Sequence, residues 1–163
     1  VSGINHGSNT SVNALYSGTV SAATEGTLMG IPSIAFSLSS FDVSSDMSLA
    51  ADVAHDIVSR LHSLAIPAGT LLNVNIPDVD RSLYKGLRIT RQGRSAWRDH
   101  YERRNDPHGR EYFWLHGEFV TLEVLDDADD LAVAQGYTAI TPLHYELTNV
   151  DMLTPLREAL AGS

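Results

Sequence analysis

The chain has no cysteine among its 163 residues, and it has few basic residues. The lack of cysteine excludes a disulfide framework, a thiolate metal site and a cysteine nucleophile, and it fits a reducing cytoplasm. Lys and Arg number 11 against 20 Asp and Glu, so the formal net charge is −9. This balance argues against binding long nucleic acid, because such binding relies on clustered basic side chains along the phosphate backbone.

Long hydrophobic runs are also absent. No apolar stretch approaches the roughly 20 residues that a membrane-spanning helix needs, so no membrane association is expected. The apolar content of 43% and the charged content of 19% are typical of a folded globular protein. We therefore expect one α/β domain over residues 1–163.

The charges that are present are distributed unevenly. Nine of the eleven basic residues lie between residues 81 and 110, and residues 118–130 hold six acidic residues and no basic one. Two interpretations stay open at this point. The two segments pair with each other, within one chain or across subunits, or the basic segment forms a rim around an anionic substrate.

The first half of the chain has the pattern of a βαβ unit. A helix is expected over residues 19–28, and a strand over residues 31–38 with large apolar side chains on one face. Apolar residues at three- and four-residue spacing predict an amphipathic helix from 46 to 65. Residues 72–77 alternate as the next strand. Strands joined through a helix in this way are expected to be parallel.

The second half mixes strands with a charged, aromatic segment. A strand is expected over residues 86–93, with Leu87 and Ile89 pointing inward. Residues 94–125 are predicted to form a β-hairpin arm, with turns at 105–107 and at His116-Gly117. A further strand is expected from Tyr137 until Pro142 ends it, and a closing helix over residues 150–161.

The opening residues predict an anion site. Asn5 follows a short apolar stretch and would stand at the carboxyl end of a parallel strand, the edge where open α/β sheets bind ligands. Its amide oxygen is a hard donor suited to Mg²⁺ or Mn²⁺. Ser17, Gly18 and Thr19 begin the first helix, where free N–H groups and the helix dipole favour a phosphate. The alternative is a glycine-rich turn followed by an ordinary Ser cap.

Other candidate residues have simpler interpretations. His55 and His62 share a helix face, but without a third ligand they are expected to be surface residues. His6 could act as an acid or base, or it is a loop histidine. The acidic run from Asp126 to Asp130 could bind a cation, although a solvated turn is the preferred interpretation. Asn73 and Asn75 are expected to hydrogen-bond loops.

Blocks along almost the whole chain resemble the survival-protein SurE family of metal-dependent 5′-nucleotidases. Each block is short, and their common order carries the resemblance. The matching segments are Ser2-Gly3-Ile4-Asn5 with Gly7 and Asn9, Tyr16-Ser17-Gly18-Thr19-Val20 with Ala22-Ala23 and Glu25-Gly26, Ile31-Pro32-Ser33-Ile34-Ala35, Asn73-Val74-Asn75-Ile76-Pro77, Arg88-Ile89-Thr90-Arg91, Asp130 with Ala132-Val133, Gly136-Tyr137 and Ile140-Thr141-Pro142-Leu143.

The resemblance implies a Rossmann-like fold with a projecting β-hairpin arm, and a C-terminal helix exchanged in homo-oligomeric dimers or tetramers. It implies hydrolysis of nucleoside monophosphates or other small phosphoesters with one divalent cation, Mg²⁺ or Mn²⁺. Asn5 matches a metal ligand of the family, and Ser17, Gly18 and Thr19 match its phosphate-binding segment.

The sequence also departs from the family pattern. The Asn-Asp-Asp-Gly segment that supplies two of the family's metal ligands is missing, and adjacent Asp pairs occur only at 126–127 and 129–130. Glu146 stands where the family more often has Asp. We therefore expect a family member without its N-terminal part and first strands, in which Asn5 is the one remaining metal ligand. Such a chain is expected to be inactive alone; alternatively, it is a non-catalytic nucleotide-binding or oligomerisation module.

Overall fold

The computed structural model describes residues 1–61 and 64–161. Within these ranges the chain forms seven strands, four α-helices and two 3₁₀ turns. The strands are β1 Ser2–His6, β2 Ser33–Ser39, β3 Thr70–Pro77, β4 Leu87–Ile89, β5 Ser95–Asn105, β6 Glu111–Thr121 and β7 Thr138–His144. The helices are α1 Gly18–Leu28, α2 Ser48–Leu61, α3 Asp129–Ala134 and α4 Leu153–Ala161, with 3₁₀ turns at Ser11–Tyr16 and Val150–Met152.

Five strands form one sheet in the order β1-β2-β3-β7-β4. The pairs β1–β2, β2–β3 and β4–β7 are parallel, whereas β7 runs antiparallel to β3. The predicted βαβ unit is therefore confirmed, and the sheet is mostly parallel. None of the helices in the described ranges is long and apolar enough to cross a membrane.

Helices cover the two faces of this sheet, as the alternation along β2 predicts. Phe36 points to the face that packs against α2, where Val53 and Ile57 are buried. Ala35 points to the opposite face and packs against Val20 of α1. Small side chains on one face and large ones on the other thus let α1 approach the sheet closely while α2 covers the larger core.

Gly3 in β1 occupies a position that only glycine fits. Its φ of +99° lies in the left-handed region, and a Cβ built on it would overlap the carbonyl oxygen of Phe36 in β2. Any side chain would therefore push β1 away from its neighbour.

The helix predicted over residues 46–65 is shorter in the structure. It spans Ser48–Leu61, and residues 64–66 are not helical. His55 is exposed, as expected for a surface histidine. His62 lies outside the described residues.

Three strand predictions were wrong in part. β4 has only three residues, and Leu87 and Ile89 share the core face of Ile140 as predicted but stay 38% and 69% exposed, because β4 is the edge strand of the sheet. Gly117 lies inside β6 opposite Asp99 and forms no turn. β7 does not end at Pro142 but continues to His144. The pairing of β7 with β4 stops at Ile140, so Pro142 pairs with β3 alone and the strand can continue through it.

The predicted arm is present as a two-stranded hairpin of β5 and β6, paired from Ser95 with Thr121 to Asn105 with Glu111. Many of its side chains are exposed, including Phe113 and Trp114. Ion pairs at the root of the arm connect the basic and acidic segments: Arg94 pairs with Glu123, and Arg98 pairs with Glu118. Arg91 and Asp127 form a further pair nearby. The interpretation that the two charged segments pair with each other is therefore confirmed within one chain.

Candidate functional site

Polar side chains form a row across the carboxyl end of the sheet. Asn5 of β1 is in register with Ser37 of β2, and Ser37 is in register with Asn75 of β3. Ser37 and Asn75 have no solvent exposure. Buried polar groups in an otherwise apolar sheet need hydrogen-bond partners, and here they find them in one another and in the loop that follows β1.

Asn5 is held by hydrogen bonds at both ends of its amide. Its Oδ1 accepts from Ser37 Oγ at 2.8 Å and from Asn9 Nδ2 at 3.1 Å. Its Nδ2 donates to the carbonyl oxygens of His6 at 2.9 Å and Gly7 at 3.0 Å. The side chain therefore has one fixed orientation, with both lone pairs of its oxygen already used.

The loop after β1 is fastened to β3 by two buried asparagines. Asn75 Oδ1 accepts from the backbone N–H of Asn9 at 2.7 Å and from Ser8 Oγ at 3.3 Å. Asn73 Nδ2 donates to the Asn9 carbonyl at 2.9 Å. The prediction that these asparagines hydrogen-bond loops is confirmed. Asn9 and Ser37 were not predicted as site residues, and a serine between Phe36 and Leu38 of β2 was the signal that could have indicated Ser37.

Among the residues that the structure describes, three buried polar side-chain atoms of this region have no hydrogen-bond partner: Asn73 Oδ1, Asn75 Nδ2 and His6 Nδ1. Unsatisfied buried groups are costly and concentrate at functional sites. His6 follows Asn5 directly and is half-buried, so it stays a candidate acid or base at this edge.

Ser17, Gly18 and Thr19, the residues predicted to bind phosphate, lie at the start of α1. Ser17 is buried, and its Oγ accepts from the Val20 N–H at 3.1 Å, so the Ser cap of the alternative interpretation is present. Gly18 is exposed and Thr19 is half-buried. Because α1 connects the parallel strands β1 and β2, it begins at the carboxyl edge where β1 ends. The topology thus brings this helix start and Asn5 to the same edge of the sheet.

The side chains present do not by themselves fit a divalent cation. Asn5 offers one neutral oxygen that already accepts two hydrogen bonds. In the described ranges there is no group of three or more His, Cys, Asp or Glu side chains placed to hold a metal ion. A hard cation needs several oxygen ligands, usually with carboxylates among them, so these residues could supply only part of a coordination shell.

The acidic run after the arm is not simply a solvated turn, which corrects the preferred interpretation for Asp129. Asp129 is fully buried, and its carboxylate accepts from the backbone N–H groups of Ser11 at 3.0 Å, Gly93 at 2.9 Å and Asp130 at 2.9 Å. Burial raises the pKa of Asp129, and the bonds from Gly93, Ser11 and Asp130 partly oppose that effect. The side chain ties three segments together. Asp127 is exposed and pairs with Arg91, as expected for a surface turn.

A cavity of about 400 Å³ opens beside the loop that holds Asn9. It lies between this loop, the ends of β2 and β3, the root of the arm and α3. Its volume falls within the range of small-molecule sites. The residues of its lining that matter most here are Ser8, Thr10, Asp78, Trp97, Phe119 and Asp130.

Comparison with known proteins agrees with this architecture. A family model described as "Survival protein SurE" matches residues 1–99. The protein named 5′-nucleotidase SurE from Symbiobacterium thermophilum is 45% identical over 158 residues, which are 97% of this chain and 61% of that relative. Its counterpart from Christiangramia forsetii is 40% identical over 148 residues, which are 91% of this chain and 57% of the relative.

A solved structure gives the same result for the fold. The crystal structure of the SurE protein from Aquifex aeolicus superposes with a TM-score of 0.82 at 38% identity, covering 97% of this chain and 63% of that one. The chain thus spans about three fifths of the length of the relatives it matches. Because the family model covers more than half of its residues, the chain belongs to the survival protein SurE family.

Proposed function

We propose that this chain is part of a phosphomonoesterase that hydrolyses nucleoside 5′-monophosphates. Relatives at 40–45% identity carry the name 5′-nucleotidase SurE. The observation in the chain that carries the proposal is the start of α1 at Ser17-Gly18-Thr19, on the same sheet edge as the fixed side chain of Asn5. We propose residues 1–163 as one domain, with residues 94–125 as its arm.

Each residue of the proposed phosphate site has a separate role. The N–H groups of Gly18 and Thr19 lie in the first turn of α1, where no intrahelical carbonyl can accept them, so they are available to phosphate oxygens. The Thr19 hydroxyl offers a further donor. Ser17 uses its oxygen to cap Val20 and would offer its hydroxyl hydrogen to the phosphate. Donors fixed by the fold stabilise the charge that develops on these oxygens during hydrolysis.

We propose one divalent cation, Mg²⁺ or Mn²⁺, as the cofactor of the family's reaction, with Asn5 as one ligand. When bound, such an ion would supply charge that polarises a phosphoryl oxygen and would lower the pKa of a bound water. For Asn5 to bind it, the hydrogen bonds from Ser37 and Asn9 to its Oδ1 would have to rearrange. Within residues 1–61 and 64–161 no group of three or more His, Cys, Asp or Glu side chains is placed to hold such an ion, and for this reason the 163-residue chain alone is expected to lack turnover.

A phosphatase assay tests this proposal. The chain is incubated with p-nitrophenyl phosphate or with AMP and Mn²⁺ or Mg²⁺, and binding of inorganic phosphate is followed in parallel by ³¹P NMR. We expect phosphate binding without turnover, and we expect Thr19→Val to weaken that binding, whereas Thr24→Val, farther along the same helix, serves as the matched control. Turnover that survives Asn5→Ala would contradict the site assignment, and phosphate binding unchanged by Thr19→Val would contradict the role of α1.

The alternative is a nucleotide-binding or oligomerisation module without catalysis, which the incomplete set of cation ligands favours for this chain alone. The hairpin arm and the C-terminal segment are the proposed contacts of a homo-oligomer. Phe113 and Trp114 on the arm, and Leu153 and Leu156 of α4, are exposed apolar side chains. Light scattering measures the mass in solution, and Phe113→Ser is expected to shift it toward the monomer; a monomeric parent chain would contradict this proposal.

A cytoplasmic location is proposed from the lack of cysteine.

A further inference from the structure

Two histidines face each other across the strands of the arm. His100 of β5 is in register with His116 of β6, midway along the hairpin. Their ring centroids are 4.9 Å apart, with the ring planes at 67°. Both side chains are exposed and line an open groove of about 400 Å³ on the arm. The rings can therefore turn about their side-chain bonds without displacing buried groups, and a ligand can reach them from solvent.

The distance between the two rings fits imidazoles that share one metal ion. An imidazole nitrogen binds Zn²⁺ at about 2.0–2.1 Å, which places the ion about 3.2 Å from the centre of that ring. Two rings that bind one ion at an angle between a right angle and the tetrahedral angle then have centres about 4.5–5.2 Å apart. The observed 4.9 Å lies inside this range. Strand pairing thus sets the distance in advance, and a rotation of the rings suffices to direct one nitrogen of each toward the ion.

The charged side chains beside the histidines permit a cation at this position. Arg98 pairs with Glu118 on the side toward the root of the arm, and Arg104 pairs with Glu102 on the side toward its tip. The pKa of Glu102 is lowered mainly by the hydrogen bond from Arg104, and the charges of the two imidazoles act in the same direction. This carboxylate therefore lies near both rings. An ion between the rings would have a negative charge nearby, while the neighbouring positive charges are already paired.

We propose that His100 and His116 form a binding site for a divalent transition-metal ion of the class of Zn²⁺, Ni²⁺ and Cu²⁺. Imidazole nitrogen suits these ions, whereas Mg²⁺ and Mn²⁺ prefer oxygen ligands, so the site differs in place and in metal preference from the one proposed at Asn5. The described ranges hold no group of three or more His, Cys, Asp or Glu side chains placed for a metal, so water would fill the remaining positions. An ion held by both strands would tie β5 to β6 and stiffen the arm.

Titration of the 163-residue chain with Zn²⁺ in an excess of Mg²⁺ tests the site. Calorimetry measures the affinity, and NMR of the imidazole nitrogens identifies the ligands. We expect the nitrogen signals of His100 and His116 to shift together as Zn²⁺ is added. His100→Ala and His116→Ala are each expected to weaken Zn²⁺ binding about tenfold or more, because each removes one of the two protein ligands. His108→Ala, between β5 and β6 at the tip of the same arm, is the matched control and is expected to leave the affinity unchanged.

Hydrogen exchange provides a second measurement on the same samples. Zn²⁺ is expected to slow amide exchange in β5 and β6 of the parent chain and to leave it unchanged in His116→Ala. A Zn²⁺ affinity that survives both histidine substitutions would overturn the proposal, and so would imidazole shifts confined to other histidines. Displacement of Zn²⁺ by Mg²⁺ would also overturn it, because the ion would then occupy an oxygen site. The NMR shifts of the parent chain need no variant, so they decide the question even if a substitution disturbs the arm.

Discussion

The buried carboxylate of Asp129 gives the sharpest prediction of stability. It has no solvent exposure, and it accepts from backbone N–H groups in three segments: Ser11 after the loop that follows β1, Gly93 before the arm, and Asp130 in its own helix. A Cβ built on Gly93 would lie 3.0 Å from Asp129 Oδ1 and closer still to the side chains of Ser11 and Asp130. The backbone of Gly93 therefore approaches the Asp129 carboxylate closely. Replacing Asp129 therefore disturbs the connection between the site loop and the arm.

The size of the effect follows from the donors left behind. Asp129→Ala leaves three buried N–H groups without an acceptor, and since each such group costs about 1–3 kcal/mol, we expect a loss of about 4 kcal/mol. Asp129→Asn keeps one oxygen in place and is expected to cost about 1–2 kcal/mol near neutral pH. Asp127→Asn, the matched control on the surface, removes only an exposed ion pair with Arg91 and is expected to cost less than about 1 kcal/mol.

The pH dependence has a definite sign. The pKa of Asp129 is raised on folding above its ordinary value of 3.8, so the folded state holds more protons than the unfolded state between the two pKa values. The stability that this group contributes is therefore complete below 3.8 and is lost as pH rises through the folded pKa. The free-energy difference between the parent chain and Asp129→Asn should accordingly shrink from acid to neutral pH.

Urea denaturation at several pH values measures both quantities. The free energy of unfolding is obtained for the parent chain, Asp129→Asn, Asp129→Ala and Asp127→Asn by linear extrapolation to zero urea, with one m-value fitted to all four. The reasoning would be refuted if Asp129→Ala cost no more than Asp127→Asn. It would also be refuted if the difference between the parent chain and Asp129→Asn grew with rising pH.

Three further substitutions test other parts of the site. Ser17→Ala removes the cap on the Val20 N–H and is expected to cost about 1 kcal/mol of stability in thermal melts, with Ser17→Asp restoring it; equal melting of the parent and Ala forms would contradict the cap. Gly3→Ala forces a Cβ into the Phe36 carbonyl and is expected to cost about 3 kcal/mol or prevent folding, which urea denaturation or expression yield would reveal. Asn75→Ala should release the loop after β1, and unchanged amide hydrogen exchange in that loop would argue against its anchoring role.

Local patterns in the sequence predicted the parts of the fold that depend on neighbouring residues. The Ser17 cap, the alternation of Ala35 and Phe36 and the amphipathic α2 all follow from spacing along the chain, and each was confirmed. These features are governed by periodicity and by backbone groups a few residues apart, which one sequence contains in full. The family resemblance added the order of the elements and the projecting arm.

What the sequence determined by itself was therefore the class of fold, its helix starts, its central strands and the family. The tertiary structure decided which polar residues work together: Asn9 and Ser37 bond to Asn5, Asn75 holds the backbone of Asn9, and Asp129 is buried although it lies in an acidic run. It also left Ile89 69% exposed on the edge strand β4. The physical reason is that burial and hydrogen bonding between distant segments depend on how strands and loops pack, and no short pattern in the chain records which of its polar residues will be enclosed.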